Sequence, residues 1–141
     1  MDESLVEIRR YTDEGFKVLV SFGEWRVAVL NYLDEIRPEN NKRMERHLQT
    51  DEVFVLTRGK GVLLIGGNGA ELDGIFPQEM ETGTLYNVRR GTWHTILLTR
   101  EASVLLVEQA DTGEQNSEYA ALSPEFHRQL VAIASREPKF M

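Results

Sequence analysis

Two histidines stand in or beside apolar stretches. His47 lies in Glu45-Arg46-His47-Leu48-Gln49-Thr50-Asp51-Glu52-Val53-Phe54-Val55-Leu56, and His94 lies in Gly91-Thr92-Trp93-His94-Thr95-Ile96-Leu97-Leu98. Glu45 and His47 are two residues apart, so on an extended strand their side chains share a face. Glu52 opens the next strand, and its face continues through Phe54 and Leu56. His94 shares its face with Ile96 and Leu98. If these faces point inward, two imidazoles and two carboxylates meet inside a β-barrel. Imidazole nitrogen suits Zn, Fe, Ni or Cu, and carboxylate oxygen suits Mn or Fe. Two carboxylates also neutralise a doubly charged ion, which lowers the cost of burying either charge. Glu45, His47, Glu52 and His94 are therefore the candidate ligands of a divalent metal ion (Zn, Fe, Mn or Ni). Glu45 is the candidate catalytic base when it is not itself a ligand. Gln49, Phe54 and Ile96 are candidate substrate contacts. The third histidine, His127, falls in a helical turn and reads as a surface residue.

The elements that must position these groups are mostly strands. Runs rich in β-formers cover Leu5–Arg10, Phe16–Phe22, Glu24–Leu33, Glu52–Thr57, Gly61–Ile65, Leu85–Val88, Thr92–Thr99 and Ser103–Glu108. Turn signals such as Arg58-Gly59-Lys60-Gly61 and Arg90-Gly91 separate them. Such spacing predicts an all-β sandwich or barrel and not a βαβ sheet. Val53–Leu56, Val62–Ile65, Ile96–Leu98 and Val104–Val107 are apolar at consecutive positions, so these strands bury both faces. Burial on both faces predicts a homodimer with the N-terminal strands or the C-terminal helix at the interface. Trp25, Phe54, Leu56 and Ile96 are core candidates, while Trp93, of opposite parity to His94, packs outside the barrel. After a polar loop over 111–122, Ser123-Pro124-Glu125 forms a helix start, with Ser as N-cap and Pro at the first helical position. Phe126, Leu130 and Ile133 then share one helical face, which predicts a helix over about 124–136.

At these residues the chain resembles the cupin superfamily. The first cupin motif reads here Glu45-x-His47-x4-Glu52-x6-Gly59, and the second reads Gly83-x5-Arg89-x-Gly91-x2-His94. The resemblance implies a double-stranded β-helix, the jelly-roll barrel, as one domain over 1–141 with the barrel at about 4–110. It carries over His47, Glu52 and His94 as metal ligands. Glu45 stands where the motif has its first His and is carried over only as an oxygen donor in its place. Arg89 replaces the motif Pro, and Leu98 the terminal Asn. Taken singly, each histidine reads as a hydrogen-bonded core residue, and their joint spacing with Glu52 is what points to a pocket. A narrower similarity links Glu45-Arg46-His47 and Tyr86–His94 to the ureidoglycolate lyase branch, in which a Gln holds the place of Glu52.

Composition narrows the partners. With 16 Lys and Arg against 23 Asp and Glu, the net charge is −7, which disfavours nucleic acid and anionic membranes. There is no cysteine, so disulfides and thiolate metal sites are excluded. No apolar run approaches the ~20 residues of a membrane span, and the acidic start does not read as a signal peptide, so a cytoplasmic location is expected. The resulting expectation is a barrel that binds a small oxygen-rich metabolite (a hydroxy acid, sugar or sugar acid) beside a metal ion. A non-catalytic metabolite sensor and a ureidoglycolate-lyase-like enzyme are the alternatives.

Overall fold

A computed structural model describes residues 1–137 and residue 140. Ten strands and one helix make up its regular structure, with short 3-10 turns at Asp34–Ile36 and Glu114–Asn116. The strands are β1 Phe16–Phe22, β2 Trp25–Asn31, β3 Arg43–His47, β4 Glu52–Arg58, β5 Gly61–Ile65, β6 Phe76–Glu79, β7 Leu85–Val88, β8 His94–Leu98, β9 Ser103–Gln109 and β10 Ser117–Ala121; the helix α1 is Pro124–Ser135. They form two five-stranded antiparallel sheets, β1-β2-β9-β4-β7 and β10-β3-β8-β5-β6.

Strand parity builds the interior. Phe54 and Leu56 of β4, Ile96 and Leu98 of β8, and Val104 and Leu106 of β9 turn inward and pack with Ala28 and Leu63 into one buried cluster. The opposite face of the second sheet buries Met44, Val62, Leu64, Trp93 and Leu97 against Leu130 and Ala134 of α1. Trp93 thus packs outside the barrel, as its parity requires. The Ser123 hydroxyl accepts from the Phe126 N–H at 3.0 Å and caps α1. Consecutive apolar residues in β5 and β8 follow from this arrangement, since one face meets the barrel interior and the other meets the helix.

Several expectations are corrected. Leu5–Arg10 forms no strand; residues 1–10 are exposed, and Arg9 pairs locally with Glu3 and Glu7 instead of meeting a partner strand. Regular structure of the first sheet begins at Phe16, not near residue 4. The stretch 111–122 is not all loop, because Ser117–Ala121 pairs with β3. Polar composition hid β10 (SEYAA), and it equally hid β6 (FPQE), both edge strands of their sheet. Trp25 is 45% exposed because it ends the tight β1–β2 turn, beside Phe22. His127 is half-buried, its Nε2 bonding the Pro38 carbonyl at 2.8 Å. The expected end of the helix pattern at Glu137-Pro138 falls partly outside the described residues. Among the described residues, no helix is long and apolar enough to cross a membrane.

One glycine conformation bears directly on the turn after β4, where the chain passes from one sheet to the other. Gly59 has φ +73°, and a Cβ there would lie 2.6 Å from Ala102 Cα and 2.9 Å from Ala102 N. Only glycine fits, on both conformational and steric grounds.

Candidate metal centre

The four sequence-selected residues meet at one place. One ligand atom from each of Glu45, His47, Glu52 and His94 lies within 4.8 Å of the others. β3 supplies Glu45 and His47, β8 supplies His94 directly opposite Glu45, and β4 supplies Glu52 from the facing sheet. Both rings converge on a single carboxylate oxygen. Glu52 Oε1 lies 3.2 Å from His47 Nε2 and 3.1 Å from His94 Nε2. The rings lie edge to face with centroids 5.4 Å apart, and Phe54 packs edge-on to His94 at 5.7 Å.

The outer nitrogens fix how the rings work. His94 Nδ1 faces the Thr92 carbonyl at 2.9 Å, which only accepts, so Nδ1 carries hydrogen and donates. In a neutral ring Nε2 is then a lone pair aimed at a carboxylate oxygen. That contact is favourable only when a proton or a metal ion lies between the two. His47 Nδ1 bonds the Ser117 hydroxyl at 2.8 Å. Such outer contacts orient metal-binding imidazoles in general.

Electrostatics follow the same geometry. Burial works against the charged forms of His47 and His94, but the hydrogen bond and charge of Glu52 outweigh it and raise both pKa values. Burial also works against ionised Glu52, yet the hydrogen bonds and charges of the two histidines hold it well below the usual carboxylate range.

Glu108 of β9 joins the cluster, although no sequence argument selected it. Its Oε2 lies 3.8 Å from His47 Nε2 and its Oε1 accepts from Arg26 Nη2 at 2.8 Å. Burial and the neighbouring Glu52 charge raise its pKa to about 7, against the lowering effect of Arg26. The signal was available: Val104, Leu106 and Glu108 share strand parity, so a carboxylate ends an inward-facing row, as Glu52 begins one.

These groups border a cavity of about 830 Å³ that also takes in Phe54, Ile96, Leu106 and Tyr119. Phe54 and Ile96 both line this cavity. Gln49 is exposed and does not line the cavity; it sits in the turn between β3 and β4, past the inward-facing end of β3. Sequence reasoning also missed Arg26, Ser117 and Tyr119, whose roles depend on cross-strand neighbours.

Donors bound to one ion at ~2.1 Å lie at most about 4 Å apart, so the four need to close by less than about 1 Å to share one. Imidazole nitrogen with carboxylate oxygen is also a chemically suitable donor set for Mn, Fe, Ni or Zn. The residues present therefore fit a divalent ion.

The sequence matches no protein-family model and no curated protein. Comparison of folds is informative. Pac13 from Streptomyces, a nucleoside dehydratase, superposes with a TM-score of 0.51 at 13% identity, covering 83% of this chain and 88% of that one. A Pac13 variant with uridine gives 0.52 at 14% identity over 83% and 87%. A cupin-2 domain protein from Shewanella frigidimarina gives 0.52 at 14% identity over 70% and 84%. The capsular polysaccharide assembling protein CapF of Staphylococcus aureus gives 0.54 at 15% identity, over 87% of this chain and 34% of that one. Two facing antiparallel sheets are shared with these structures at the level of the backbone, so this chain has a cupin-like fold.

Proposed function

We propose that this chain is an enzyme that binds a divalent metal ion through Glu45, His47, Glu52 and His94, and acts on a small oxygen-rich metabolite. Hydroxy acids, sugars and sugar acids are the substrate classes. The observation that carries this reading is that His94 Nε2 faces the Glu52 carboxylate at 3.1 Å with Nδ1 already committed to Thr92 O, so that a proton or a metal ion has to lie between them. Uridine, with its ribose hydroxyls, is the molecule found with the Pac13 variant of the same fold, which agrees with a polyhydroxylated ligand.

When bound, the ion supplies Lewis-acid stabilisation to an oxygen that gains negative charge. The chain's own residues do the remainder. Thr92 O and Ser117 Oγ hold the two rings in register. Phe54, Ile96 and Leu106 line the cavity beside the cluster as an apolar wall. Glu45 has a side chain 42% exposed and lies 3.9 Å from His47 Nε2, at the cavity side of the cluster. When it is not itself a ligand, it takes a proton from a substrate carbon or hydroxyl there as general base.

Metal analysis of purified protein by mass spectrometry tests this. About one ion per chain, lost in both His47→Ala and His94→Ala, is the expected result. A second reading, a metabolite-binding protein without catalysis, is favoured by one feature: protonated imidazoles satisfy Glu52 with no ion at all. Absence of metal together with unaltered ligand binding in Glu45→Gln supports that reading. A lyase of the ureidoglycolate type requires glyoxylate release from ureidoglycolate, and no release above background at micromolar enzyme removes it.

A further inference from the structure

Glu108 is buried more deeply than a cavity-rim carboxylate should be. Its side chain is 3% exposed, and Oε2 has no hydrogen-bond partner. A buried carboxyl oxygen left without a partner is costly, and beside the Glu52 carboxylate a shared proton or a cation relieves it. Its other oxygen is fully used, because Arg26 Nη2 and Nε both donate to Oε1, at 2.8 and 3.3 Å. Arg26 is itself held by the Ala110 carbonyl at 3.2 Å. Arg26 and Glu108 are direct cross-strand partners on β2 and β9, and Val53 pairs with Val107, which puts Glu52 and Glu108 side by side on the inner face. The arrangement turns Oε2 toward the cluster, 3.8 Å from the metal-facing nitrogen of His47. That one spacing is in the range of two donors on one ion, about 3 to 4 Å at bond lengths of ~2.1 Å. Glu108 stands just outside the four residues whose donor atoms all lie within 4.8 Å of one another, so it has to move in to reach a shared ion.

We propose that Glu108 supplies a fifth donor, a third carboxylate, to the metal centre, and that Arg26 is the residue that positions it. The inference rests on the metal reading above and deepens it. Two imidazoles and three carboxylates form an oxygen-rich set that exceeds the four-coordinate tetrahedron of structural zinc sites. It suits Mn²⁺ or Fe²⁺, which accept carboxylate oxygen and higher coordination. Three carboxylates also explain the chain's tolerance for Glu45 at a position where the motif has a neutral imidazole: the centre is built to hold a hard cation.

The test titrates EDTA-stripped protein with Mn²⁺ and, separately, Zn²⁺, by calorimetry and, for Mn²⁺, by the electron paramagnetic resonance signal of the free ion. Glu108→Gln is expected to weaken Mn²⁺ by about tenfold or more and to lower the ratio of Mn²⁺ to Zn²⁺ affinity. Arg26→Gln is expected to shift the same ratio in the same direction. Glu108→Asp keeps the charge but draws both carboxylate oxygens back by one methylene, and it too should lose Mn²⁺ affinity. Should Glu108→Gln fail to fold, the Asp and Arg26 variants decide the matter. A role in packing alone would alter the melting temperature of the stripped protein without moving the ratio. Equal Mn²⁺ affinity and an unchanged ratio in the folded variants overturn the fifth donor and leave the four-residue centre standing. If the unaltered protein binds neither ion, both readings fall.

Discussion

His94 presents Nε2 to Glu52 Oε1 at 3.1 Å while its Nδ1 donates to Thr92 O at 2.9 Å. The nitrogen facing the carboxylate therefore carries hydrogen only when the ring is charged. Proton and metal ion compete for the same position, and this competition sets the behaviour of the protein with pH.

The metal-stripped protein should be more stable at about pH 5.5 than at about pH 8. Both rings have folded-state pKa values above the ordinary 6.5. The stability they contribute is complete below about pH 6.5 and is lost as pH rises through the folded values. Glu108, raised from 4.5 to about 7, acts in the same direction, its contribution draining away between those values. Glu52, held low, contributes oppositely, and its share is lost only as pH falls below its ordinary 4.5. Thermal melts in EDTA across this range check the slope, which should shrink in His94→Gln. With saturating Mn²⁺ the increase in melting temperature over the stripped protein should grow with pH. A stripped protein whose melting temperature rises steadily toward pH 8 contradicts the charged-ring arrangement.

Glu52 and Glu45 should separate sharply in their effect on stability. Glu52 is buried beneath two imidazoles, so Glu52→Gln leaves charged rings without their counter-charge and should cost about 3 kcal/mol at pH 6 without metal. Glu45 has a side chain 42% exposed. Glu45→Gln should cost less than about 1 kcal/mol while still weakening metal binding. Urea denaturation of the stripped proteins measures both. Comparable losses would mean that Glu45 is part of the folding core and not a group free to face substrate.

The residues that strand parity can sort are legible in the sequence. Glu52-Phe54-Leu56 and His94-Ile96-Leu98 do line the interior, and Glu45 and His47 do share a face of β3. What escapes such reading is set by neighbours distant along the chain. Arg43–His47 and Ser117–Ala121 are polar strands whose pairing to each other, not their composition, makes them strands. Leu5–Arg10 has the composition of a strand and lacks a partner. Glu108 reads as the polar end of an apolar run until Arg26, across the sheet, and Glu52, on the next strand, give it a setting.

Gly59→Ala should destabilise the fold by about 2 to 4 kcal/mol, well beyond the ~1 kcal/mol of an ordinary glycine replacement. A methyl group there meets the Ala102 backbone at 2.6 Å, in addition to the strain of φ +73°. Chemical denaturation reads the loss directly. An effect under about 1 kcal/mol would show that the turn and the Ala102 segment move apart easily.

The outer face of the first sheet presents Val27, Val29, Val53, Val55, Leu105 and Val107, all half-buried and not covered by α1. The expected outcome in light scattering is a particle of twice the 16.2 kDa chain mass. A charge in the middle of this face, as in Val107→Asp, should return it to one chain without unfolding it. A single-chain mass for the unaltered protein at high concentration contradicts the expectation.

The inward-facing cluster draws Glu52 and Glu108 from one sheet and Glu45, His47 and His94 from the other. An ion seated among them would act as a rivet through both layers of the sandwich. Loading the centre would then stiffen the whole barrel, and slow hydrogen exchange would spread into strands that contribute no ligand, β2 and β5 included.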